Sequence, residues 1–383
     1  MGTMKRNHRI WASMALSVMM VVLAACGSTG STNATKTDAA AGATNAASAP
    51  ETKGGIDWEA RIAANKAIGE IRTMTSFNYS ANIANTNAWI ADELGFFKEL
   101  GLNVKVMPGL SADAMKLLAV GQLQMAHAGS ASEVVQSVAN GAEIKGVLAM
   151  APVGLSVLMV LDNSGIKTVK DLEGKIVGYK GAMPAHITAM LKKGGADLSK
   201  IKQVGVGFDP TILNTTEVAA ITVFKSNEPY QMEKLGFKTR ILDPQEYGVN
   251  TSFGIVGANN DFAAKHPAAV EDYLRAIIKA HEWILKNPEE TIKILEKRAG
   301  GNFNKEIETN RLKVETGLID PAKQQGKGLG IFTKEQWQSE IDILSENGVL
   351  VKPVTADQVA DVKYISNVYN GEQLIWPEQG AKK

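Results

Sequence analysis

Side chains that could hold a small molecule gather in four segments, each of which follows a predicted strand and opens a predicted helix. The segments are 77–89, 129–132, 180–184 and 226–230. Ligands of open α/β sheets lie beyond the carboxyl ends of strands and against helix N-termini, so these segments are predicted to wall a cleft. The predicted ligand-binding residues, to which a later turn adds Tyr247, are Asn78, Tyr79, Asn85, Trp89, Gly129, Ser130, Lys180, Met183, Asn227, Glu228 and Tyr247.

Several of these residues also have a simpler interpretation. Asn85 and Ser132 could be helix N-caps, which favour short polar side chains. Trp89 could belong to the core, as aromatic residues on helices usually do. Lys180 could be a solvated charge, and Glu228 could stabilise a helix start through the helix dipole. The sequence leaves both interpretations open.

Glu228 carries the most information about the substrate. A carboxylate facing the cleft would repel nitrate or a sulfonate and would accept hydrogen bonds from amino or ring N–H groups. None of the four segments contains arginine, whose guanidinium fork is the usual partner of an oxyanion. The residues therefore favour an uncharged, donor-rich heterocycle that stacks on Trp89, Tyr79 or Tyr247.

Enzyme signatures are absent from the sequence. It contains no G-x-S-x-G, no G-x-x-x-x-G-K-[ST] and no H-E-x-x-H. The histidines have no metal-binding spacing; they are His8, His127, His186, His266 and His281. We expect a protein without catalysis, metal or cofactor.

The body of the chain predicts two α/β lobes. More than 300 residues exceed what one core usually serves. Short strands alternate with helices, which indicates largely parallel sheets, and the chain turns helical after Pro267. The predicted strands are 103–107, 175–179, 219–224 and 237–242, and the predicted helices include 89–100, 112–118, 132–140, 185–193, 228–235 and one ending at Lys286. Thr333 to Gln336 forms a capping box before another helix.

The N-terminal region predicts export and a lipid anchor. Lys5, Arg6 and Arg9 precede an apolar run that ends at Cys26, the single cysteine, which is typical of a secretory signal. Leu-Ala-Ala before this cysteine resembles the bacterial lipobox, in which the thiol is acylated and becomes the new N-terminus. A lone thiol in an exported protein has no disulfide partner, and lipidation, for example by palmitate, explains it.

Composition excludes other classes of partner. The Gly-, Ser-, Thr-, Ala- and Asn-rich stretch after Cys26 cannot bury enough apolar surface to fold and predicts a flexible tether. The formal net charge is +1, and removal of the three leader cations leaves 38 basic and 40 acidic residues. Nothing here indicates nucleic acid binding. The mature protein should be an extracytoplasmic, membrane-anchored monomer.

Longer segments resemble a known family. The run from Trp89 to Val106 closely resembles the opening of the bacterial solute-binding proteins for nitrate, sulfonates, taurine and thiamine pyrimidine precursors. The segments 125–130, 169–178 and 286–290 are similar to later family elements, in the family's order. Asn227-Glu228-Pro229 resembles the N-E-P of relatives that take up pyrimidine precursors or riboflavin.

The resemblance implies a two-lobed type II periplasmic-binding-protein fold with a hinge and a helical C-terminal part. It implies a signal peptide at 1–25, a tether at 26–57, a first lobe at 58–157 and 254–383, and a second lobe at 158–253. It also implies an ABC permease and ATPase as partners. A rival from another class is the thiamine-pyrimidine synthase. That family has a cysteine-rich iron motif, and this chain has no cysteine after position 26.

Overall fold

The computed structural model describes residues 51–52, 55–249, 251–322 and 327–378, all of which belong to one compact unit, Ala46–Lys383. The predicted signal peptide and Cys26 lie outside the described residues, as does most of the predicted tether. Residues at the end of that tether form two short antiparallel strands, β1 (Glu51–Thr52) and β2 (Gly55–Ile56).

The other strands build two five-stranded sheets and a short pair. They are β3 (Glu70–Met74), β4 (Asn103–Met107), β5 (Met125–Ala128), β6 (Ile144–Ala151), β7 (Ser156–Leu161), β8 (Ile176–Tyr179), β9 (Lys202–Gly205), β10 (Val218–Phe224), β11 (Thr239–Leu242), β12 (Phe253–Asn259), β13 (Tyr369–Asn370) and β14 (Gln373–Leu374). The first sheet has the order β4-β3-β5-β12-β6, and the second has the order β11-β7-β10-β8-β9. We call the part built on the first sheet lobe 1 and the part built on the second lobe 2.

Each sheet is parallel on one side of its central strand and antiparallel on the other. In lobe 1, β3 is parallel to β4 and β5, whereas β12 is antiparallel to β5 and β6. In lobe 2, β8 is parallel to β9 and β10, whereas β7 is antiparallel to β10 and β11. The strand β12 is buried along its whole length, as expected for a strand covered on both faces.

The chain crosses between the sheets twice. It leaves the first sheet after Ala151 and enters the second at Ser156, then returns between Leu242 and Phe253. The two crossing segments touch, because a Cβ placed on Gly154 would lie 2.2 Å from Oγ1 of Thr251. A larger side chain than glycine would separate the crossings. The resemblance implied hinge strands near 156–162 and 252–257; β7 and β12 occupy these positions, each within a single sheet.

Helices cover both sheets. They are α1 (Trp58–Ala67), α2 (Ile83–Glu93), α3 (Phe96–Glu99), α4 (Ser111–Ala119), α5 (Ala131–Ala139), α6 (Ala185–Lys193), α7 (Ile212–Thr215), α8 (Glu228–Lys234), α9 (Asn260–Lys265), α10 (Pro267–Lys286), α11 (Pro288–Ala299), α12 (Lys305–Ala322), α13 (Lys334–Glu346), α14 (Ala356–Val359) and α15 (Lys363–Ser366). The capping box predicted at Thr333 is present, with Thr333 and Gln336 bonded reciprocally. Within the described ranges, no helix is long and apolar enough to cross a membrane.

One predicted helix is wrong in its bounds. The pattern predicted a single helix over 89–100, but α2 begins six residues earlier at Ile83 and ends at Glu93. Gly95 then takes a left-handed conformation, φ +77°, which a glycine adopts without the steric cost of a Cβ. The polar run Asn82 to Asn87 hides the helix start from hydrophobic periodicity, because Asn82 is an N-cap and the asparagines inside the helix are buried.

Candidate functional site

Three neighbouring strand ends of lobe 1 bring three serines together. The parallel strands β4, β3 and β5 are followed by the loops that carry Ser111, Ser76 and Ser130. The N–H of Ser111 donates to the carbonyl of Ser76 (2.9 Å), and the Oγ atoms of Ser130 and Ser132 are 2.8 Å apart. The loop after β3 approaches the loop after β9 of lobe 2, where Phe77 and Phe208 meet, and we call the region between these two edges the cleft.

Carboxylates of α12 occupy the N-terminus of α2. Asn82 caps the helix with its own side chain, which accepts from the N–H of Ala84 (3.0 Å). The N–H of Ile83 donates to Glu315 (2.7 Å), and the N–H of Ala81 donates to Glu308 (2.6 Å). A helix N-terminus at a strand end is a natural anion site. Here the chain's own carboxylates already take these donors.

The arginine next to this helix start is also paired. Arg311 donates to both carboxylate oxygens of Glu308, at 2.8 and 2.9 Å. Burial raises the pKa of Glu308, although Arg311 opposes this shift. Both bonds come from Nη1, so the charge of Arg311 is paired with Glu308 within α12.

The N-terminus of α5 is engaged in the same way. The Oγ of Ser130 donates to Oε1 of Glu133 (3.5 Å), and the neighbouring side chain of Ser111 and backbone of Ser130 and Gly129 favour the charged carboxylate. A Cβ on Gly129 would lie only 2.8 Å from Oε1 of Glu133, so the missing side chain lets the carboxylate approach the backbone. The N–H of Ala131 donates to Oγ of Ser252 (3.2 Å). Burial raises the pKa of Glu133.

On the lobe 2 side, Lys180 and Glu228 form an ion pair. Lys180 follows β8 and Glu228 begins α8, and their side chains are 13% and 4% exposed. The other oxygen of Glu228 accepts from the N–H of Phe224 (2.9 Å). The charges of the pair neutralise one another, but each carboxylate oxygen of Glu228 has a second lone pair that can accept a further hydrogen bond.

Two phenylalanines meet across the cleft. Phe77 follows β3 of lobe 1, and Phe208 follows β9 of lobe 2. Their ring centroids are 6.2 Å apart at an interplanar angle of 60°. The Nζ of Lys180 lies 5.8 Å from the Phe208 ring, within cation–π range. Phe208 is 64% exposed, so most of its ring is open to a ligand or to solvent.

The structure places Trp89 in the core rather than on the cleft wall. It is 1% exposed, and its ring lies 4.7 Å from that of Tyr79 and 5.4 Å from the guanidinium of Arg298. Tyr79 is half-buried against the same cluster. Trp89 therefore lies in surroundings typical of a core residue, which was the simpler of its two interpretations.

Other predicted residues have structural partners in the structure. Asn85 is buried, and its Oδ1 accepts from both N–H and Oγ of Ser76 (2.8 Å each). The Tyr247 hydroxyl accepts from the N–H of Val169 (3.2 Å), and the ring packs on the lobe 2 core, as does Met183. Asn227 accepts from the Gln231 side chain (2.8 Å).

The structure brings one predicted pair together, Lys180 and Glu228 on the lobe 2 edge, while Ser130 lies on the lobe 1 edge. Asn78 is exposed in the loop after β3, next to Phe77. The ligand roles of all these residues stay predictions.

Three residues of this region were not predicted from the sequence. Phe208 lies in a loop that has no motif, Glu133 looks like an ordinary first-turn acid, and Glu315 lies on a helix far along the chain. Phe208 follows β9 (Lys202–Gly205), a strand that was not predicted from the sequence, so no pattern identified it. No local signal identifies Glu315, because its partners are more than 80 residues away.

Among the residues that the structure describes, no group of three or more His, Cys, Asp or Glu could hold a metal ion. A groove of about 500 Å³ runs between α6 and α13, and its lining includes Lys193, Gly248 and Glu335 but no cleft residue named above.

Comparisons with known proteins place the chain among binding proteins. A family model described as "NMT1/THI5 like" matches residues 82–291. The formylaminopyrimidine-binding protein of Halalkalibacterium halodurans is 24% identical over 286 residues, 72% of this chain and 85% of that protein. The 4-amino-5-hydroxymethyl-2-methylpyrimidine phosphate synthase of Legionella pneumophila is 23% identical over 230 residues, 58% of this chain and 72% of that one.

Solved structures show the fold. The periplasmic aliphatic sulphonate binding protein SsuA from Escherichia coli superimposes with a TM-score of 0.59 at 17% identity, covering 82% of this chain and 98% of that one. The periplasmic-binding-protein fold implied by the sequence is confirmed, with two mixed sheets flanked by helices.

Proposed function

Because the chain belongs to the NMT1/THI5 like family, we propose that it is the solute-binding component of an ABC importer and that it binds a planar heterocycle carrying N–H donors. The solute is held between the two lobes and is handed to a membrane permease that is driven by ATPase subunits. An aminopyrimidine, such as a thiamine precursor, has this chemistry, and so does a flavin.

The substrate class is inferred from the hydrogen-bond donors that an anionic ligand would need. Carboxylates of the chain itself already bond to these donors. Glu315 and Glu308 take donors at the start of α2, and Glu133 takes donors at the start of α5. A sulfonate or nitrate entering from the cleft would have to displace a carboxylate that is already bonded. It would also find Arg311 and Lys180 paired. A ligand with N–H donors can instead donate hydrogen bonds to the oxygens of these carboxylates.

The aromatic pair supports a planar ligand. Phe77 and Phe208 come from opposite lobes, so a ring that stacks on one of them can contact the other when the lobes close. The name of the Halalkalibacterium halodurans relative, a formylaminopyrimidine-binding protein, agrees with this chemistry.

A binding panel tests the proposal. The protein is titrated calorimetrically with aminopyrimidines, flavins, aliphatic sulfonates, taurine and nitrate. We expect a heterocycle to bind more tightly than any of the anions. Micromolar binding of taurine, a sulfonate or nitrate, with no heterocycle binding, assigns the protein to the sulfonate, taurine and nitrate branch of solute-binding proteins instead.

Closure of the lobes is a second test. A ligand that binds the closed state better shifts the population toward it. Small-angle scattering with a bound heterocycle should give a radius of gyration no larger than that of the free protein, and a smaller one if the free protein opens. Expansion on binding would contradict the proposal.

We further propose that Cys26 is lipidated and holds the protein at the outer side of the cell membrane. The lone exported thiol after Leu-Ala-Ala motivates this. Cys26→Ala should release the protein from membranes or block its maturation, which fractionation and mass spectrometry of the N-terminus would reveal. A processed Cys26→Ala protein that stays with the membrane would contradict the anchor.

The second candidate function is that of a pyrimidine synthase, which the Legionella pneumophila relative brings forward. The sequence has no cysteine beyond position 26 to build the cysteine-rich iron motif of the synthases. The purified protein incubated with pyridoxal phosphate and iron should therefore leave the pyridoxal phosphate unchanged. Its consumption with formation of a pyrimidine would establish the enzyme.

A further inference from the structure

The carboxylate of Glu315 joins the two lobes directly. On the lobe 1 side it accepts from the N–H of Ile83 (2.7 Å) and from Nδ2 of Asn82 (3.2 Å). On the lobe 2 side it accepts from Oγ of Ser226 (2.7 Å). Glu315 and Ser226 are both 0% exposed, so the junction is shielded from water. A hydrogen bond to a buried charged group is stronger than one at the surface.

We propose that Glu315 is a positioning residue that latches lobe 2 onto lobe 1 through Ser226 and thereby holds the cleft closed. The latch is a set of contacts within the ligand-free protein. Only its role in holding a solute rests on the proposed function. Ser226 precedes Asn227 and Glu228, so the latch fixes the segment that presents the Lys180–Glu228 pair to the cleft.

Helix α12, which carries Glu315, makes further contacts to lobe 2. Nδ2 of Asn310 donates to the carbonyl of Ser226 (3.4 Å). The Tyr230 hydroxyl donates to Glu306 (2.9 Å), and Nζ of Lys234 lies 2.7 Å from the same carboxylate. These last contacts are exposed and contribute little. The buried Ser226–Glu315 bond is therefore the one whose removal should matter most.

Capping of α2 is a separate role of Glu315, and the two roles can be told apart. Ser226→Ala removes the lobe 2 donor and leaves the bonds from Ile83 and Asn82 intact. Glu315→Gln keeps the size and one acceptor oxygen but removes the charge. Thr316→Ala is the matched control, because its hydroxyl bonds only within α12, to the carbonyls of Leu312 (2.7 Å) and Lys313 (3.2 Å).

The experiment measures the distance between the lobes without any ligand. Val120→Cys in lobe 1 and Leu235→Cys in lobe 2 are exposed positions for spin labels. The full chain also carries Cys26→Ser, so that these are its only thiols. Pulsed electron resonance gives the distance distribution for the parent, Ser226→Ala, Glu315→Gln and Thr316→Ala.

A lost hydrogen bond to a charged group should shift the closed-to-open ratio by roughly tenfold or more. We expect Ser226→Ala and Glu315→Gln to add a longer interlobe distance and Thr316→Ala to match the parent. Parent-like distributions for Ser226→Ala and Glu315→Gln would overturn the latch. So would equal opening in Thr316→Ala. Because no ligand is used, neither result depends on which solute binds.

Discussion

The two edges of the cleft are built in different ways. On the lobe 2 edge, Lys180 and Glu228 lie 48 residues apart, and Glu228 also bonds the backbone four residues before it. On the lobe 1 edge, Glu308 and Glu315 come from a helix more than 220 residues away from the loop that they bond. The Lys180–Glu228 pair is assembled within lobe 2, whereas the lobe 1 edge depends on the C-terminal helices returning to it.

The two edges also differ in the role of their aromatic residues: one belongs to the core and one faces the cleft. Trp89, on the lobe 1 side, looks like an aromatic wall in sequence and is buried in the core. Phe208, on the lobe 2 side, lies in a loop without a motif and is the exposed aromatic of the cleft. The predictions below test this contrast.

Trp89→Ala should have the largest effect, and the effect should be on stability. Removal of a fully buried tryptophan costs about 3–5 kcal/mol of unfolding free energy. Urea denaturation followed by circular dichroism measures it. Phe208→Ala is the matched aromatic control and should change stability by less than about 0.5 kcal/mol, since its ring is mostly exposed. Equal losses in the two variants would contradict the assignment of Trp89 to the core.

Loss of the Glu340 proton should make the protein less stable as the pH rises toward 8. Burial raises the pKa of Glu340 from 4.5 to about 8, against a hydrogen bond with Ser252 that lowers it. The folded state holds this proton to a higher pH than the unfolded chain does, so the stability that it contributes is full below the unfolded pKa, declines as the pH rises, and is lost once the pH has passed 8. Glu315, with a pKa raised by burial to about 7, acts in the same direction.

The buried histidines set the lower limit of the pH range in which Glu340 can be observed. Burial lowers the pKa of His127, His186 and His281 to about 4, so their contribution changes only below about pH 6.5. Melting temperatures from about pH 6.5 to 8 should fall in the parent and fall less in Glu340→Gln. Glu289→Gln, at an exposed position, is the control. A Glu340→Gln curve parallel to the parent would refute the assignment.

Glu228→Gln should weaken binding of a heterocycle by roughly 10- to 150-fold, which corresponds to about 1.5–3 kcal/mol for a hydrogen bond to a charged group. The change also leaves Lys180 without its partner, so the cleft becomes more positive. Calorimetry measures the affinity, and Glu233→Gln on the exposed face of α8 is the control. If Glu228→Gln instead tightens taurine or nitrate that the parent already binds at micromolar level, the ligand is an anion.

Phe208→Ala should weaken binding of a planar ligand by about 2- to 13-fold, since an aromatic contact contributes about 0.5–1.5 kcal/mol beyond area burial. Phe208→Leu keeps an apolar side chain without the ring and should show most of the loss. The same titration measures both. An unchanged affinity in both variants would mean that the ligand does not stack there.

Much of the fold could be predicted from local patterns. The strand β4 and the helix α6 have their predicted bounds, and α5, α8 and α10 begin within one residue of the predicted starts. These elements have clear apolar periodicity or proline and capping residues at their ends, which act over a few residues. The start of α2 was missed because buried asparagines replace the apolar pattern there.

The sequence by itself determined the class of the protein: alternating strands and helices, polar loops after the strands, and the family resemblance. Only the tertiary structure decided which side of each helix faces the cleft and which partner each polar group takes. Asn85 turns inward to Ser76, Lys180 turns to Glu228, and Glu315 reaches both lobes. Helix periodicity repeats every few residues, but these pairings join residues up to 232 positions apart, and only the packing of α12 against α2 and α8 brings the most distant of them together.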